Sequence, residues 1–142
     1  MKTTRLILVL ACLAGFFSAA RAAESVSVRG ILISASNKSG ASDRRLAAYE
    51  PNLRRILRFE SFRFLGEDSA SLAVPARGAL SLGEGQQVEL ATESSDGKTV
   101  LLKVRWGGVR HEYVLQRGGT TVLGGPSTGR KGEVYAVILV NR

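Results

Sequence analysis

The tetrapeptide Trp106-Gly107-Gly108-Val109 separates two runs in which apolar and polar residues alternate. Period-two alternation marks a strand with one buried face, and a Gly-Gly pair between two such runs marks a two-residue hairpin turn. A turn of that length leaves a single register. It pairs Trp106 with Val109, Val104 with His111, Leu102 with Tyr113 and Val100 with Leu115, all on one face. The opposite face pairs Lys103 with Glu112, a cross-strand ion pair. Upstream, Ser95-Asp96-Gly97 suits a three-residue loop with Gly97 left-handed. That loop pairs Thr92 with Val100, Leu90 with Leu102 and Val88 with Val104, so both hairpins agree on the apolar face. A two-residue Asp96-Gly97 loop would set Val88 and Leu90 against charges. The expectation is a meander of strands 86–93, 99–106 and 109–116.

The remaining segments extend this pattern. Residues 25–34 (SVSVRGILIS) and 133–140 (EVYAVILV) become apolar on both faces, as central strands do. Shorter strand signals cover 59–65, 71–75, 79–82 and 120–123, with turns expected at Gly66, Gly78, Gly83 and Gly85 and a loop over 124–132. One helical period runs from Asp43 to Arg58. Leu46, Tyr49, Leu53, Ile56 and Leu57 recur at three- and four-residue spacing, with Ser42 as the N-cap. Pro51 lies inside the pattern and removes a backbone donor, so the pattern predicts two short helices or one kinked helix, with Pro51 opening the second piece. The predicted fold is mainly β: an antiparallel β-sandwich or partly closed barrel with one short or Pro-kinked helical insert.

Residues 1–22 read as an address rather than as fold. Lys2 and Arg5 precede the uncharged apolar run 6–17, and Ala20-Arg21-Ala22 offers a small-residue cleavage site; this order is that of a secretory signal peptide. The run falls short of the roughly 20 residues a membrane span needs. Cleavage after Ala22 leaves one domain, 23–142, with no expected transmembrane span. Val9-Leu10-Ala11-Cys12 resembles a lipoprotein box, but the apolar core would then shrink to 6–11, which disfavours lipidation at Cys12. Without the leader the domain lacks cysteine, so a thiol nucleophile, a disulfide and a thiolate metal site are excluded. Its 17 basic residues, 13 of them Arg, against 12 acids leave a charge of +5 and favour anionic partners; nucleic acid is a poor one for an exported domain with no recognised binding motif.

Catalytic constellations are sparse. His111 is the single histidine and sits at the border of the apolar face, so it fits a core edge better than a triad or a metal site. Gly124-Gly-Pro-Ser-Thr-Gly129-Arg130-Lys131-Gly132 imitates a phosphate loop, but Arg130 stands where Lys belongs, no Ser or Thr follows, and a strand comes next. The acids Glu67, Asp68, Glu84 and Glu89 fall in or beside expected turns. The reading therefore assigns no catalytic residue, no metal and no cofactor. The candidate binding site is the arginine set Arg44, Arg45, Arg54, Arg55 and Arg58, since Arg binds phosphate and carboxylate bidentately.

Two local resemblances follow. Ile31-Leu32-Ile33-Ser34-Ala35-Ser36-Asn37, with Leu46-x-x-Tyr49 and Leu53-Arg-Arg-Ile-Leu-Arg-Phe59-Glu-Ser-Phe62, resembles small exported bacterial β-rich proteins of uncharacterised function, and implies no activity. Leu115-Gln-Arg-Gly-Gly119-Thr-Thr-Val-Leu-Gly-Gly125 is similar to a strand-turn-strand stretch of bacterial secretin barrels, which implies an envelope-assembly setting. The functional expectation is an exported, non-enzymatic interaction module of the bacterial envelope, accessory to a secretion or pilus assembly, with an envelope protein or an anionic envelope polymer as partner. The alternative is a small glycan- or anionic-polymer-binding β-sandwich using Trp106 or Tyr113; a hydrolase is disfavoured.

Overall fold

The computed structural model describes residues 25–142 apart from 39, 41, 96 and 97. The expected leader and the Asp96-Gly97 turn lie outside the described residues. In chain order the elements are β1 (Ser25–Ser36), a 3₁₀ turn (Arg44–Leu46), α1 (Glu50–Leu57), β2 (Ser61–Ala73), β3 (Ala76–Gly83), β4 (Gln86–Ser95), β5 (Thr99–Trp106), β6 (Val109–Gln116), β7 (Thr120–Ser127) and β8 (Glu133–Asn141). They form two antiparallel four-stranded sheets, ordered β2-β1-β8-β7 and β3-β4-β5-β6. The result is a sandwich, not a closed barrel, with the helical insert as a third layer.

The two strands read as central are central: β1 pairs with β2 on one side and β8 on the other. Their side chains alternate between two apolar layers. Val28, Leu32, Val137 and Leu139 face the second sheet, while Ile31, Ile33, Ala35, Ala136 and Ile138 face the insert. The insert supplies Leu46 and Leu53, both fully buried, with Tyr49 and Leu57 partly so. Ile56 departs from the expected face and is 49% exposed. The break at Pro51 is as expected, with Pro in the first turn of α1. The cap is not. Asp43, not Ser42, caps the 3₁₀ turn by accepting from the Arg45 N–H at 3.0 Å. Ser42 Oγ instead accepts from the Phe62 N–H at 3.2 Å and ties the insert to β2.

Gly66 and Gly78 were expected in turns, yet both lie inside strands. Residues 61–73 form one strand with a bulge opposite Leu32 and Ile33. The bulge flips the side-chain parity. Before it, Phe62 and Phe64 face the insert; beyond it, Ala70 and Leu72 face the inter-sheet core. Leu65 is the unpaired residue of the bulge, and Gly66 follows it because β2 and β3 touch there: a Cβ would run into the Leu82 carbonyl oxygen. Thr92 fastens the corner at the other end of the β2–β3 contact, where its hydroxyl donates to the Ala73 carbonyl at 2.6 Å and accepts from the Ala76 N–H at 3.0 Å.

The β5–β6 register matches the expectation at every pair from Val100–Leu115 to Trp106–Val109. The β4–β5 register does not. Val88 faces Trp106, Leu90 faces Val104 and Thr92 faces Leu102, two residues from the expected pairing. An irregularity between Thr92 and Ser94 and continued pairing to Ser95 lengthen the hairpin. A shift of two preserves parity, so the apolar face is unchanged. At the far side β6 and β7 part. They are linked by the 117–119 turn, where the Gly118 N–H donates to the Asn141 carbonyl at 2.6 Å. Trp106 covers part of this seam, with its ring against Gly125 and its Nε1 donating to Gln86 Oε1 at 3.0 Å.

Gly66→Ala should cost about 3 kcal/mol, the upper end for overpacking, because backbone rather than a side chain must move. Leu53→Ala should cost about 2–5 kcal/mol by opening the insert layer. Urea denaturation followed by circular dichroism measures both; an unaltered midpoint for Gly66→Ala would mean that β2 and β3 do not meet there.

Candidate functional site

All five candidate arginines lie exposed on the insert, but the structure does not unite them. Arg45 is occupied. Its guanidinium binds Asp43 at 2.8 and 3.1 Å and lies 4.0 Å from the Phe64 ring centroid, so it pins the turn to β2. Arg54 pairs with Glu50 one turn back at 2.8 Å, and Arg55 donates to Asn52 at 3.2 Å. Arg44 and Arg58 make no ion pair with any acid among the described residues. Arg58 is also the C-cap of α1 in the left-handed region, at φ 56°. Glycine is the usual occupant there, because a Cβ is disfavoured.

The outer face of the second sheet is the other charged surface, and its residues escaped the candidate set. Side chains from its four strands line a half-open concavity of about 940 Å³. One cross-strand row runs Arg77, Ala91, Lys103, Glu112; the next runs Ala79, Glu89, Arg105, Arg110. Lys103 is neutralised by Glu93 at 2.7 Å and Glu112 at 3.6 Å, and the Glu93 hydrogen bond raises its pKa. Arg77, Arg105 and Arg110 form no ion pair with an acid among the described residues. Arg105 stands directly opposite Arg110. The signal was present in the sequence, since the Gly107-Gly108 register that places Lys103 opposite Glu112 also places these two arginines together.

The other chemical candidates have structural duties. His111 is opposite Val104 as expected, but β6 is an edge strand, so the imidazole is exposed, 5.9 Å from the Tyr113 ring centroid. Burial raises the Tyr113 pKa. Glu67 and Asp68, expected in a turn, lie within β2: Glu67 pairs with Arg29, and Asp68 accepts from the Ser69 and Ser81 N–H groups. Trp106 is buried and offers no stacking platform. The expected loop over 124–132 begins later, since Gly124 to Ser127 belong to β7; the Ser127 and Thr128 hydroxyls accept from the Gly129 and Arg130 N–H groups within the turn. Among the described residues no three metal-ligating side chains gather, and no helix is long and apolar enough to cross a membrane. Comparison with protein-family models, curated proteins and solved structures finds no match.

The Arg45 side-chain hydrogen bonds, followed by the Arg45 backbone N–H, hold the Asp43 carboxyl at about 2, below its ordinary 3.8. A depressed carboxylate stabilises the fold above the unfolded value and loses that contribution as pH falls through the folded one. The Asp43 cap is therefore fully effective above pH 3.8 and fails towards pH 2. NMR titration of Arg45→Ala should return Asp43 towards 3.8. An unmoved titration would mean that Arg45 does not hold the carboxylate.

Proposed function

We propose that this chain is an exported, non-enzymatic interaction module of the bacterial cell envelope, docking on an envelope protein through the outer side of its insert. The setting is an accessory role in a secretion or pilus assembly. The observation that carries the reading is Arg58: a cation with no acid partner among the described residues, held in a left-handed conformation where glycine would fit with less strain. Arg44 lies towards the other end of the same insert, equally without an acid, and Arg55 lies between them. Leu46 and Leu53 anchor the insert to the first sheet, so these charges are carried on a packed element rather than a free loop.

An anionic envelope polymer is the competing partner, and one experiment separates the two. The protein is cross-linked in its native envelope beside a variant in which Arg44, Arg54, Arg55 and Arg58 are changed to Glu. The expected result is a specific protein partner lost in the variant. Recovery of polymer alone, released by moderate salt, would favour the polymer. An identical partner set from both forms would remove the insert from the docking surface. Reversal of Arg54 and Arg58 alone should cost about 1 kcal/mol or less, because exposed ion pairs contribute little. Arg58→Gly should raise stability by about 0.5–1 kcal/mol while weakening partner recovery, measured by thermal unfolding beside the cross-linking yield.

A further inference from the structure

We infer that the concave outer face of the second sheet is a separate binding site for an acidic polypeptide segment, recognised by Arg77, Arg105 and Arg110. This face lies on the far side of the sandwich from the insert, so the inference stands apart from the docking surface proposed above.

The first ground is the Arg105–Arg110 pair. Like charges directly opposite each other on adjacent strands destabilise a sheet. Glu89 stands opposite Arg105 on β4 but forms no ion pair with it, and the only residue opposite Arg110 is Arg105 itself. The acids nearby are either committed to Lys103, as Glu93 and Glu112 are, or form no ion pair, as with Glu89. Two guanidinium groups side by side present a fork-shaped array of donors suited to one carboxylate or to two in succession. Arg77 adds a third cation across the floor made by Ala79 and Ala91, whose short side chains leave the middle of the concavity open.

The second ground is the composition around the arginines, which selects among anions. Glu89 and Glu112 line the same concavity and repel a uniformly charged phosphate polymer. Beside it, Val114 is 68% exposed and lies opposite Leu101 on the same outer face. Arginine is the charged residue enriched at protein interfaces, and here an exposed aliphatic side chain lies beside it. An extended segment with acidic and aliphatic side chains at alternate positions of the same face satisfies both parts: its carboxylates meet Arg77, Arg105 and Arg110, and an aliphatic group on that face covers Val114. The concavity is half-open and about 940 Å³, which suits a strand-like segment lying across the sheet.

The test is calorimetric titration of the purified protein with a synthetic peptide, Ser-Glu-Ser-Glu-Ser-Leu-Ser-Glu, whose acids and leucine share one face when extended, beside inorganic polyphosphate of equal charge. The expected result is saturable peptide binding that weakens with added salt and exceeds that of polyphosphate. Arg110→Glu replaces a repulsive cross-strand pair with an attractive one. It should therefore leave the melting temperature unchanged or raised while weakening the peptide about tenfold or more. Arg105→Gln, which removes the cation without setting a carboxylate opposite Glu89, should weaken the peptide in the same way. Absence of peptide binding, equal binding by Arg110→Glu, or a lower melting temperature in that variant would overturn the inference, and tighter polyphosphate binding would replace the polypeptide with a phosphate polymer. The insert variant with Arg44, Arg54, Arg55 and Arg58 reversed should bind the peptide as the parent does; loss there would assign the peptide to the insert and also overturn the inference.

Discussion

The pairing of β1 with β8 is the constraint on which the rest of this molecule depends. Both strands are apolar on both faces, so neither face of their sheet can be left to water. One face is covered by the second sheet and the other by the insert. The pairing also joins the first described strand to the last, so its contacts close nearly the whole length of the described chain, and such long-range pairing is slow to form. Since the covering layers bury their inner sides, charged chemistry is confined to their outer sides: the exposed flank of the insert and the open face of β3 to β6.

That confinement separates arginines that hold the fold from arginines that do not. Arg45 is tied to Asp43 and rests on Phe64, and Arg29 is paired with Glu67 across β1 and β2. Their charges are consumed locally. Arg58 and Arg110 do the reverse: each occupies a position where a different residue would suit the backbone or its neighbour better. Local choices that disagree with the surrounding structure, without a structural gain, concentrate where a protein meets something else.

Much of this was legible in the chain itself. The Gly107-Gly108 turn yields the full β5–β6 register because a two-residue loop admits only one. The apolar runs of β1 and β8 announce their central places, and Pro51 marks the break in the insert. What stayed hidden depended on contacts between distant segments. Gly66 and Gly78 look like turn residues in sequence, yet each is small because another part of the chain presses on it: the Leu82 carbonyl in one case and the Leu72 side chain in the other. The β4–β5 register differs by two because the irregularity falls in Thr92-Glu93-Ser94-Ser95, where no apolar residue marks the change of parity. The candidate site was found only in part for a related reason: Arg44 to Arg58 cluster along the chain, whereas Arg77, Arg105 and Arg110 cluster only once the strands are laid side by side.

Trp106 carries a consequence of a different kind. It is the single tryptophan of the chain, and it belongs to β5 while its ring rests on Gly125 of β7, across the seam where the two sheets part. Its indole N–H is held by Gln86 of β4, so the ring is fixed to one sheet and shielded by the other. The protein thus contains its own optical gauge of that seam. Water reaching the ring as β6 and β7 separate would shift the indole emission to longer wavelength, and the fastened corner between β2 and β3 would contribute nothing to the signal.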